Sequence, residues 1–111
     1  MTEPAMETVD SFGMMAERMF ADIWSRGALS VKERRLLLLG LLVGQGIDEQ
    51  VEVQLDTALR AGDLDESELR EVVVFLTHYA GWTRGSRLNN QVEDLIERVR
   101  RDRSDRRDLG G

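Results

Sequence analysis

The chain has 111 residues, 41% of them hydrophobic but only 5% aromatic, and a formal net charge of −6. A length of this order fits one domain, whose core must be aliphatic. The absence of cysteine excludes disulfides, zinc–thiolate sites and thiol catalysis, and the negative charge argues against nucleic acid as a partner.

The N-terminal stretch MTEPAMETVD is acidic and lacks a basic-then-apolar leader pattern. The longest apolar run, Leu36–Leu39 extended past Gly40 to Val43, is too short to span a bilayer. A soluble, cytoplasmic protein with no membrane partner is expected.

Five helical segments are predicted and no strand pair. The first covers about Thr8 to Trp24, with Phe12, Met15, Met19, Phe20 and Ile23 at three- and four-residue steps marking a buried face. Pro4 lies outside it, and Gly27 ends the region. The second begins at Ser30, where Ser30 and Glu33 have capping-box spacing. It passes Arg34 and Arg35 into the leucine run, and a helix apolar on most sides should be buried on most sides. Gly44 and Gly46 stop it.

The third segment starts near Asp48, expected as its N-cap, and carries Val51, Leu55, Ala58 and Leu59 inward until Gly62. The fourth opens on Asp65-Glu66-Ser67-Glu68, again a capping box. Its inward residues are Leu69, Val72, Val73, Leu76 and Ala80. The β-branched run Val72–Val74 favours a strand locally, but the cap and the four-residue spacing favour a helix. Gly81 breaks it. The fifth runs from about Ser86 to Arg101, with Leu88, Val92, Leu95, Ile96 and Val99 inward. Residues 1–101 thus form a single helical domain, and 102–111 a charged, flexible tail. The tail's alternating arginines and aspartates read as a solvated polyampholyte end. Short connections imply roughly antiparallel neighbours, so the fold class is all-α.

Chemistry is sparse. The glycines at 40, 44 and 46 lack phosphate-loop spacing, and His78 is the single histidine, so no metal and no cofactor are expected. One cluster concentrates functional groups: His78-Tyr79-Ala80-Gly81-Trp82 places an imidazole, a phenol and an indole at a helix end. It offers a general acid, hydrogen-bond donors and an apolar wall. From spacing alone, a helix C-cap with aromatic packing is the simpler account of it.

Several short motifs follow in order: Trp24-Ser25-Arg26-Gly27-Ala28-Leu29-Ser30, Glu33-Arg34, Ala58-Leu59-Arg60-Ala61-Gly62, Glu68, Glu71 and Tyr79-Ala80-Gly81-Trp82. Together they resemble the carboxymuconolactone decarboxylase family, with its Leu-Ser-x-x-x-Arg helix start and later tyrosine-alanine-glycine element. The resemblance covers roughly Phe20 to Ile96, and the alkylhydroperoxidase D-like (AhpD-like) proteins share the fold. It implies an all-helical subunit of five to six helices, assembled as a homotrimer or homohexamer. It also implies a pocket between the second, third and fourth helices near a subunit interface. Arg34 matches the family arginine, and Tyr79, Gly81 and Trp82 the tyrosine-glycine element. The redox branch's glutamate, two cysteines and histidine fall on Arg35, Ile47, Gln50 and Gln54, so none is retained. The decarboxylase branch's histidine is also Gln54 here, a second common histidine is Phe75, and the usual proline after the tryptophan is Thr83.

Two readings of different class follow. In the first, the protein is a lyase acting on a small carboxylated lactone or related acid. Decarboxylation requires a cation to hold the carboxylate, donors for the developing oxyanion and an acid to protonate carbon. Arg34 is then the clamp, Gln54 and Trp82 the donors, and His78 or Tyr79 the acid, with Trp24 and Arg26 joining Trp82 against the substrate. In the second, the chain is a catalytically degenerate small-molecule-binding or assembly subunit on the same scaffold. Peroxide reduction fits neither, because no thiol is present.

Overall fold

A computed structural model describes residues 4–110, with side chains described from residue 11. It contains five helices: α1 (Pro4–Trp24), α2 (Val31–Gln45), α3 (Asp48–Ala61), α4 (Glu66–Ala80) and α5 (Trp82–Gly110). No strand occurs among the described residues, and no helix among them is long and apolar enough to cross a membrane. The all-α expectation therefore holds. The chain divides into two compact units, one ending at Val31 and the other beginning at Lys32.

The first unit is α1 and the turn after it. The helix starts at Pro4, earlier than its periodicity indicates. A first-turn proline is tolerated because its missing N–H has no intrahelical partner to lose. Phe12, Met15, Met19, Phe20 and Ile23 do recur along the helix, yet they are 53–69% exposed. The expectation of a buried face is corrected here: a single helix and a turn supply no second layer to bury it. The helix unwinds through Ser25, whose amide donates to the Ala21 carbonyl at 3.0 Å and whose hydroxyl donates to the Asp22 carbonyl at 3.2 Å.

The second unit holds an aliphatic core. Leu39, Leu42 and Val43 enter it from α2, and Val51, Leu55, Ala58 and Leu59 from α3. Leu69 and Val73 come from α4, and Leu88, Val92, Leu95, Ile96 and Val99 from α5. The stripes expected for α3 and α5 are the observed ones. That of α4 is buried at Leu69 and Val73 and partly buried at Val72, Leu76 and Ala80. In α2 only one side is covered. Leu37 is 65% exposed and Leu41 is also open, so burial on most sides does not occur among the described residues. Gly40 faces Leu76 of α4, whose Cδ2 lies 3.9 Å from the position of an added Cβ.

The helix ends are set locally. At the end of α2, the Ile47 amide donates to the Leu42 carbonyl and the Gly46 amide to the Val43 carbonyl, both at 3.1 Å. Gly46 is left-handed, with φ 72°, so this is a Schellman turn. The N-cap of α3 is Ile47 and makes no side-chain cap bond, which corrects the assignment to Asp48. Asp48 is instead drawn toward α5: its carboxylate accepts from Arg87 at 2.9 Å and its carbonyl from Gln91 Nε2 at 3.0 Å. The α4 capping box forms as expected, with the Glu68 amide donating to Asp65 at 2.8 Å and the Asp65 amide to Glu68 at 3.0 Å. Leu64, in the α3–α4 turn and outside every helical stripe, is fully buried.

A single residue, Gly81, separates α4 from α5. Its φ of 98° and ψ of 162° are essentially restricted to glycine. Because the break is so short, α5 begins at Trp82 rather than Ser86. Its N-terminal turns lie hard against α4: a Cβ on Gly85 would come within 2.2 Å of Thr77 Oγ1 and 2.7 Å of Thr77 Cβ. At its other end α5 passes Arg101 and continues to Gly110, so the segment read as a flexible tail is helical through Gly110. Ion pairs hold the start of this extension. Arg100 Nε donates to Glu66 at 3.1 Å, and Arg60 Nη2 donates to Asp102 at 2.8 Å.

Candidate functional site

Within the second unit, the most buried charge is on α2. Arg35, Leu39 and Leu42 share the inward stripe of that helix, at i, i+4 and i+7. Arg35 is 8% exposed. Its Nη1 donates to the Gln54 side-chain oxygen on α3, and its Nη2 donates to Asp63 Oδ2 at 3.1 Å, in the α3–α4 turn. The two charged side chains are only 10% and 19% exposed. The guanidinium thus bridges three successive parts of the chain. Its charge is matched by a carboxylate, which a desolvated cation requires.

Arg34, the residue singled out from the sequence, is half-buried and about 100° around the helix from Arg35. Gln54 is half-buried and uses its amide oxygen on Arg35, which leaves its amino group for any other donor role. Asp63 and Arg35 were not selected from the sequence. Arg35 was legible as a cation on the same helical face as Leu39 and Leu42, whereas Asp63 sits in a turn and carries no periodic signal.

The aromatic cluster lies on the α4–α5 elbow. His78 is exposed, and its Nδ1 is 2.9 Å from the Val74 carbonyl, so Nδ1 carries the proton and donates there. The ring of Tyr79 packs at 5.0 Å from that of Phe75, tilted by 39°. Trp82 is 79% exposed at the first position of α5. His78 and Trp82 line one open groove between α4 and α5; Arg34, Gln54 and Tyr79 are not in its lining. Trp24, half-buried, and Arg26, exposed, belong to the first unit. No group of acidic or histidine side chains suited to a metal occurs among the described residues.

Ion pairs lace the surface of the helices. Arg70 on α4 grips Glu93 on α5 with both Nε and Nη2, at 2.9 and 3.0 Å. Lys32 on α2 pairs with Glu68 on α4. These partners hold the carboxyls of Glu93 and Glu68 below the usual carboxylate range, with the Asp65 amide adding to the effect on Glu68. Arg100 does the same for Glu66, and Arg60 for Asp102.

The family model for the carboxymuconolactone decarboxylase family matches residues 10–94. The chain belongs to this family. No curated protein and no solved structure gives a significant match. Membership fits the all-helical architecture, and it sharpens the meaning of the buried cluster. Arg35 and Gln54 are the positions that the resemblance aligns with the redox branch's glutamate and histidine, and here they bond to each other. Ile47 and Gln50, aligned with its two cysteines, are the N-cap and an exposed first-turn residue of α3. A cation and an amide therefore meet at positions 35 and 54.

Proposed function

We propose that this member of the carboxymuconolactone decarboxylase family is a non-catalytic assembly subunit that keeps the scaffold without the chemistry. The observation that carries the proposal is the Arg35–Gln54–Asp63 cluster. The guanidinium is bonded to two side chains of the protein itself, and Arg35 and Gln54 stand where the resemblance places the redox branch's glutamate and histidine. A homotrimer or homohexamer supplies cover for the open apolar side chains of α2 at Leu37 and Leu41 and of α4 at Phe75 and Tyr79.

The test has two readouts. Light scattering at micromolar concentration is expected to give three or six times the 12.6 kDa chain mass, and a monomer removes the assembly reading. Carbon dioxide release from a carboxylated muconolactone is expected to equal the protein-free rate. Turnover above that rate restores the lyase reading. That reading draws on Arg34 as the carboxylate clamp and on the imidazolium form of His78, which carries a proton on Nε2 as well as on Nδ1, as the acid. Loss of turnover in Arg34→Met with the oligomer intact is then its signature.

A further inference from the structure

The groove on the α4–α5 elbow is distinct from the buried arginine cluster. It is bounded by two helical stripes, residues 73, 74, 77 and 78 on α4 and residues 82, 85, 86, 89 and 90 on α5, and encloses about 470 Å³. Gly85 lies directly against Thr77 across the two helices. The Thr77 hydroxyl is already bonded to the Val73 carbonyl at 2.6 Å.

Its lining is chemically unusual for this chain. Charged residues make up 32% of the sequence, yet none of the nine lining residues is Asp, Glu, Lys or Arg. In their place stand the indole of Trp82, the imidazole of His78, the hydroxyl of Ser86 and the side-chain amides of Asn89 and Asn90. Because His78 donates through Nδ1 to the Val74 carbonyl, its neutral ring presents Nε2 as an acceptor. Among the described residues, Ser86, Asn89 and Asn90 make no side-chain hydrogen bond within the protein.

We propose that this groove binds a small uncharged planar ring with an amide or lactam edge. The exposed indole supplies a stacking face. An asparagine amide matches such an edge with one donor and one acceptor side by side, and His78 Nε2 accepts a further N–H. An anion finds no cation in the lining, and desolvating its charge there is unfavourable. The groove lining shares no residue with the Arg35–Gln54–Asp63 cluster on which the assembly reading rests.

The experiment compares nicotinamide, nicotinate and glucose as probes of the full-length protein. The ring of the first two is the same, and only the charge of the edge differs. Binding is read by nitrogen–proton NMR at the Trp82 indole and the side-chain amides of Asn89 and Asn90. The Trp24 indole, outside the groove lining, serves as the reference. Nicotinamide is expected to shift the Trp82, Asn89 and Asn90 signals saturably. Nicotinate is expected to need at least a tenfold higher concentration for the same shift. Asn90→Leu, at an exposed position, is expected to abolish the nicotinamide response while leaving the backbone spectrum folded. A linear, non-saturating response to nicotinamide overturns the proposal. So does equal binding of nicotinate, or a saturable response to glucose alone, which would mark a polyol site.

Discussion

Removing Asp63 isolates the contribution of the buried cluster. Asp63→Ala takes from the Arg35 side chain, only 10% exposed, the carboxylate at 3.1 Å. Breaking a buried pair from one side destabilises by about 3 kcal/mol, because the remaining charge stays desolvated. For a chain of this size that corresponds to a fall in Tm on the order of 10–20 °C. Arg35→Met removes the charge together with its need for a partner and replaces the guanidinium with an apolar group of similar reach, so about 1–2 kcal/mol is expected from lost hydrogen bonds. The double variant is expected to lie near Arg35→Met alone, since Asp63 in its turn can be solvated once the arginine is gone. Urea unfolding followed by circular dichroism at 222 nm measures all three, with a constant denaturant slope confirming that the native state is unchanged. A loss below about 0.5 kcal/mol in Asp63→Ala, typical of a surface pair, refutes the assignment of Arg35 as a desolvated cation. Strict additivity in the double variant refutes the coupling.

Two further outcomes are expected. Gly85→Ala forces α4 and α5 apart, because the new Cβ falls 2.7 Å from Thr77 Cβ; overpacking of this kind costs about 1–3 kcal/mol, and Thr77→Ser, which keeps that Cβ, should not rescue the melting temperature. The carboxyls of Glu66, Glu68, Glu93 and Asp102 all have folded-state pKa values lowered, first by hydrogen bonds from Arg100, Lys32, Arg70 and Arg60 respectively. The stability they contribute is therefore complete above the ordinary carboxylate range and is lost as the pH falls through the lowered values. A pH series of melting temperatures should show that acid-side decline, shallower at high salt because these pairs are exposed; a flat acid limb contradicts it.

Part of the candidate site was legible in the chain and part was not. Gln54 was identified as a polar residue on the third helix, and it does meet an arginine. The arginine is Arg35 and not Arg34, because one residue along a helix turns the side chain by about 100°. Which of the two faces the core depends on where α3 lies. The carboxylate that completes the cluster is in a turn, where neither periodicity nor capping marks a partner. His78 and Trp82 were recognised as neighbours in sequence, but their common groove exists only because Gly81 and Gly85 let α5 fold back closely on α4.

Local order was determined by the sequence alone. Three- and four-residue spacing identified the inward stripes of α3, α4 and α5, and Asp65 with Glu68 marked the start of α4. Gly46, Gly62 and Gly81 marked the ends of α2, α3 and α4. These signals act within one or two turns of chain, so no tertiary information is needed to read them. Tertiary structure decided what periodicity leaves open: the open flank of α2 at Leu37 and Leu41, the uncovered face of α1, the burial of Leu64 in a turn and the partners of Asp48. It also gives α5 a course past Arg101, where Asp102 meets Arg60 across 42 residues of chain. Helical spacing reports that a face is apolar. Only the position of another surface determines whether that face is buried.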